Sequence, residues 1–172
     1  GYLPIKAKPN EFNPLRGYIE TSNSNYTPPD FPYLDAIGYT WTDPYRWARA
    51  SEVLGAGRKL SMSDMVGLQH DYLSIPARTL VPFFKELEAD NPQIERARQM
   101  LLDWDFVLDK NSVEAGIYVA FERKLLDKME ELKVPEVARS YLGVGMKTAI
   151  DMLLAPDGDF GVDPVGEEMS SC

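Results

Sequence analysis

Proline decides what the opening stretch of this chain can become. Pro4, Pro9, Pro14, Pro28, Pro29 and Pro32 all fall within residues 1–42, with Asn and Gly between them. Each lacks the backbone N–H that a helix interior or a central strand needs. The stretch therefore reads as an extended arm with turns, holding at most one short strand around Gly17-Tyr18-Ile19-Glu20-Thr21. An arm this long without regular structure is unusual inside a compact domain, so it is expected to be functional or wrapped on something.

From Thr42 onward the spacing turns helical. Asp43 followed by Pro44 predicts an N-cap and a first-turn proline, with Trp47, Ala50 and Leu54 on one face and Gly55 as the stop. Ser61 with Asp64 predicts a second cap, followed by a stripe of Met62, Met65, Val66, Gln69, Tyr72 and Leu73. Residues 77–89 should kink or split at Pro82. Asn91-Pro92 opens the next segment, with Ile94, Ala97, Leu101 and Trp104 on one side. Asn111 or Ser112 opens a long one, striped by Val113, Ile117, Phe121, Leu125, Met129 and Leu132 and ended by Pro135. A last helix is expected over residues 136–154, weakened by Gly143 and Gly145 and closed by Pro156. The fold class is thus mainly α: an arm over residues 1–42, a lobe of five to six helices over 43–156, and a loose acidic tail over 157–172.

Composition narrows the function. Acids outnumber bases 27 to 18 in 172 residues, a formal charge of −9. Nucleic-acid binding draws on Lys and Arg neutralising phosphates, so that partner is disfavoured, and an anionic membrane surface with it. The single cysteine, Cys172, permits no intrachain disulfide. The opening residues lack the basic and apolar regions of a signal peptide, so either the protein is not exported or its leader lies outside this chain.

A self-contained active site is not readable. The one histidine, His70, is expected mid-helix and off the apolar stripe, which suits a solvated side chain better than a general base. There is no HExxH and no spaced Cys/His cluster to hold a catalytic metal. Glu130-Glu131 and Glu167-Glu168 are sequence neighbours and point apart on a helix. Gly55-Ala56-Gly57-Arg58-Lys59 follows a helix rather than a strand, so it reads as a C-cap and turn and not as a phosphate loop.

An ordered series of short segments nonetheless resembles the penicillin amidase family, which includes the acyl-homoserine-lactone acylases. It runs from Gly1-Tyr2-Leu3-Pro4 through Asn13-Pro14-Leu15-Arg16-Gly17-Tyr18-Ile19 and Ser22-Asn23-Ser24-Asn25 to Pro32-Tyr33, Ile37-Gly38 and Trp41. Pro44-Tyr45-Arg46, Lys59 to Met65, Leu68-Gln69-His70-Asp71, Leu73 to Arg78, Trp104-Asp105, and Ser112 with Ala115 continue it. The resemblance implies an N-terminal-nucleophile hydrolase that cleaves a linear amide through a serine acyl-enzyme. The serine's own α-amino group then serves as base. Gly1 carries no hydroxyl, so the nucleophile and the serine-led β core of the larger α/β enzyme are expected outside this chain, which alone should be inactive. The implied partners are that remainder of the acylase and a small-molecule amide. The implied location is periplasmic or extracellular.

Two site residues follow from the same resemblance. Asn23 matches the asparagine whose side-chain amide donates to the oxyanion, although an asparagine here could equally do no more than shape a turn. Arg46 matches an arginine that supports the active-site geometry. The plainer alternative is a surface arginine paired with Asp43 or Glu52. Members of the penicillin G type bind a structural calcium, and Asp35 lies near one ligand position. The Asn23-to-Arg46 spacing departs by one residue from that subgroup, so no metal or other cofactor is assigned to this chain. The aromatic residues Tyr26, Phe31, Tyr33, Tyr39, Trp41, Tyr45 and Trp47 could line an acyl pocket, but packing of the arm is favoured. The competing function is a non-catalytic, acidic helical binding or scaffold module.

Overall fold

A computed structural model describes residues 3–25, 27–28, 30–38, 41–89 and 91–155. Tyr26, Tyr39, Pro156 and the tail over 157–172, with Glu167-Glu168 and Cys172, lie outside the described residues. The chain divides into two compact units, Gly1–Asp71 and Tyr72–Cys172. Helices α1 (Tyr45–Leu54) and α2 (Met62–Gln69) belong to the first. Helices α3 (Ile75–Leu80), α4 (Pro92–Leu102), α5 (Val113–Lys133) and α6 (Met146–Leu154) belong to the second. Short 3-10 turns occur at Ile5–Ala7, Leu34–Ala36, Val81–Glu86 and Glu136–Ala138. The architecture is mainly helical, with six α-helices and no sheet among the described residues. Strand pairing is limited there to an isolated antiparallel bridge between Leu73 and Val107. The short strand expected around Gly17-Tyr18-Ile19-Glu20-Thr21 does not form, because a strand needs a ladder partner and none of the described residues supplies one.

In the first unit the local signals set the helix ends. Helix α1 starts one position later than the sequence suggests: Pro44 is its N-cap and contributes no side-chain cap. Its end is as read, with the Gly55 N–H donating to the Ser51 carbonyl at 2.8 Å and Gly57 turning at φ 71°. Helix α2 carries the full capping box. The Asp64 N–H donates to Ser61 Oγ (3.1 Å), and the Ser61 N–H donates to Asp64 Oδ2 (2.7 Å). Arg58 adds a 3.0 Å hydrogen bond to Asp64. That contact first, and the Ser61 N–H second, hold the Asp64 carboxyl well below the usual carboxylate range. The stripe expected on α2 is not a buried face. Met62 and Val66 are 80% and 59% exposed, and the helix ends before Tyr72 and Leu73. No apolar side chain among the described residues of this unit is buried; its buried residues are Glu20 and Ser24.

The second unit has a conventional core. Leu80, Phe84, Leu101, Trp104, Tyr118, Leu125, Met129 and Ile150 are buried. Phe84 meets Phe121 edge-on with ring centroids 4.9 Å apart. Ser74 caps α3 through the Ala77 N–H, and the segment splits near Pro82 as read, changing to 3-10 turns at Val81. Asn91 caps α4 and Ser112 caps α5, both through side-chain oxygens. The buried stripe of α5 is Ala115, Tyr118, Phe121, Leu125 and Met129, whereas Val113 and Leu132 face solvent. The last helix is shorter than expected. Residues 136–138 make a single 3-10 turn, and α6 begins only after Gly145, since two glycines within three residues interrupt a helix.

Candidate functional site

The two site residues expected from the sequence lie in the first unit and touch each other. Asn23 sits at φ 59°, the left-handed conformation that asparagine tolerates better than most side chains. Its carbonyl accepts from the Thr42 N–H at 3.2 Å. The Thr42 hydroxyl is shared between the carbonyls of Ser22 (3.1 Å) and Asn23 (3.2 Å). Thr42 thus fixes the backbone of the turn just ahead of α1. Arg46, in the first turn of α1, fixes its side chain. Its Nη2 donates to Asn23 Oδ1 at 2.7 Å and to the Ser22 carbonyl at 3.1 Å.

The chemistry of that contact orients the amide. A guanidinium has donors and no acceptor, so only the oxygen end of Asn23 can face it. The Nδ2 end, with two N–H donors, lies outside this hydrogen bond. A preoriented donor of this kind can stabilise negative charge developing on a carbonyl oxygen. Arg46 thus meets Asn23 across 23 residues of sequence. The ion pair reaching Glu52 comes from Arg49, at 3.4 Å, and Arg49 also donates twice to Asp71 (2.9 and 2.7 Å).

His70 is exposed and at the C-cap of α2 rather than mid-helix, with Nδ1 3.1 Å from the Val66 carbonyl. Asp35 lies in the exposed Leu34–Ala36 turn, and no group of three or more His, Cys, Asp or Glu able to hold a metal exists among the described residues. Of the aromatic series, Phe31 and Tyr33 meet edge-on at 5.9 Å, while Trp41 and Trp47 are partly exposed. Trp47 walls a groove of about 650 Å³, together with Tyr18, Arg16, Glu20 and Ser51. Sequence reasoning gave no role to Thr42, Glu20 or Ser51. A lone carboxylate after Tyr18-Ile19 was the one available signal for Glu20, and a threonine before a helix is too common to single out.

A family model described as Penicillin amidase matches residues 1–169 of the chain. No curated protein matches it significantly.

Proposed function

The chain belongs to the penicillin amidase family, and from that premise we propose that it is one section of an amide hydrolase. On this reading it supplies an oxyanion donor to a reaction whose serine nucleophile lies on another segment. The substrate is a linear amide. The serine hydroxyl, with its own α-amino group as base, adds to the amide carbonyl, and the carbonyl oxygen takes up the charge. Asn23 Nδ2 donates to that oxygen, and Arg46 keeps the amide turned so that it can. The observation that carries the proposal is the 2.7 Å contact from Arg46 to Asn23 Oδ1.

Two further facts favour a section over a complete enzyme. The single histidine of the chain, His70, sits exposed at the end of α2 with Nδ1 3.1 Å from the Val66 carbonyl, apart from the hydrogen bonds that hold Asn23. The first unit also leaves Ile5, Phe12 and Leu15 more than 80% exposed. Apolar surface gathered on one small unit is what a missing neighbour would cover. That neighbour is the serine-led remainder of the acylase. The arm over residues 1–42 then carries the donor, and α1 supports it. A periplasmic or extracellular location is part of the same reading, supported by the family resemblance. No helix among the described residues is long and apolar enough to cross a membrane.

Substitution Asn23→Ala in the intact enzyme tests the reading. A donor that acts on the transition state contributes about 10²–10³ in kcat. Turnover should fall by that order with KM little changed. An unchanged kcat would remove Asn23 from the mechanism.

A further inference from the structure

Glu20 and Ser51, two side chains beside the asparagine turn, make a second fastening between the arm and α1. Glu20 is only 8% exposed, in a unit that buries no apolar side chain among its described residues. A buried carboxylate is costly unless its oxygens are hydrogen-bonded, so its partner is informative. Oε1 accepts from Ser51 Oγ at 2.9 Å. Oε2 makes no hydrogen bond and lies 3.7 Å from Arg16 Nε, while the Arg16 guanidinium is paired with Glu11. Tyr18, two residues before Glu20, brings its hydroxyl 3.4 Å from the Ser51 carbonyl. Gly55 makes room for that ring, because a Cβ there would stand 3.0 Å from the Tyr18 hydroxyl and 2.8 Å from the Ser51 carbonyl.

The arm is therefore held to one helix twice within four residues. Asn23 is held by Arg46 near the start of α1, and Glu20 by Ser51 nearer its end. One hydrogen bond leaves a segment free to pivot about it; two at different heights on a helix set both its slide and its rotation. We propose that Glu20 and Ser51 are positioning residues for the Asn23 amide, the carboxylate–hydroxyl contact fixing the register of residues 20–23 along α1 and hence the direction of Nδ2. The inference rests on the oxyanion reading of Asn23. It matters to rate because a misplacement of about 1 Å at a reacting centre can cost on the order of 10²-fold.

The test is steady-state kinetics of the intact enzyme on p-nitroanilides of fatty and arylacetic acids. The variants are Ser51→Ala, Ser51→Thr, Asn23→Ala and the double variant Asn23→Ala/Ser51→Ala. Ser51→Ala removes only the donor and should lower kcat about 10-fold while leaving KM nearly unchanged. Ser51→Thr keeps a hydroxyl and should restore the rate. Residues acting through one group are not additive, so the double variant should be no slower than Asn23→Ala alone. Losses that multiply, an effect on KM instead of kcat, or an inert Ser51→Ala would overturn the inference while leaving Asn23 in place. An inert Asn23→Ala would overturn the oxyanion reading, and the inference with it. If Ser51→Ala fails to fold by circular dichroism, Glu20→Ala decides instead. It removes the acceptor facing Ser51 and should lower kcat about 10-fold with KM nearly unchanged; a wild-type kcat would overturn the proposal.

Discussion

Arg46 holds Asn23 through one nitrogen of its planar guanidinium, Nη2, which reaches two oxygens at once, the side-chain Oδ1 and the Ser22 carbonyl. Charge alone would not reproduce this. An ammonium is a compact point charge on a flexible stem and lacks the planar fork. The substitution Arg46→Lys is therefore expected to lower kcat of the intact enzyme about 10-fold through loss of orientation, with KM nearly constant. Steady-state kinetics on an anilide substrate would measure it, and a wild-type kcat in the lysine variant would mean that orientation by the fork is unimportant. The pairing of Asn23 with Arg46 could be anticipated only through resemblance to a family. Nothing in the spacing of the two residues brings them together, because the contact depends on the arm folding back over α1. The contact between Glu20 and Ser51, 31 residues apart, has the same origin and left no trace in local sequence.

Helix starts were legible where a polar side chain serves its own backbone. Ser61, Asn91 and Ser112 each accept from an N–H two or three residues on, a contact that needs no tertiary partner. Helix faces were less so, because neighbours choose them. Val113 and Leu132 fit the periodicity of α5 yet face solvent, and α2 has an apolar stripe that no described residue of its unit buries. Helix α4 shows how polar contacts join elements. Arg98 binds Glu95 through Nε (2.7 Å) and Nη2 (2.8 Å), and its Nη1 donates to the Phe84 carbonyl (2.8 Å). Arg98 first, then Gln99, hold the Glu95 carboxyl at about 2, below its ordinary 4.5. A depressed value means the carboxylate stabilises the fold above pH 4.5, and that this contribution fades as pH falls through about 2. The melting-temperature gap between the wild type and Glu95→Gln should thus be full at pH 6 and closed near pH 2. A gap that does not change with pH would show that the carboxylate's charge contributes nothing.

Across the molecule, the two units are held together internally by different physics. The second unit buries Leu125, Met129 and Tyr118 from α5 without measurable exposure, and α5 packs against α4 and α6. Leu125→Ala should cost about 2–5 kcal/mol of that unit's stability by opening a cavity. Hydrogen exchange would then speed up throughout α3 to α6 while the amides of α1 and α2 keep their wild-type rates. Equal acceleration in both units would show that they unfold as one. The first unit relies on hydroxyls, carboxylates and guanidinium groups: Thr42 on the turn, Glu20 on Ser51, Arg49 on Asp71.

That choice of interior has a thermodynamic signature. The heat capacity gained on unfolding comes from newly wetted hydrocarbon, and polar groups entering water subtract from it. A unit whose centre is a carboxylate and a hydroxyl should come apart with little step in the calorimetric baseline. The step in a scan of this protein should then come mainly from residues 72–155, with the asparagine turn adding little to it.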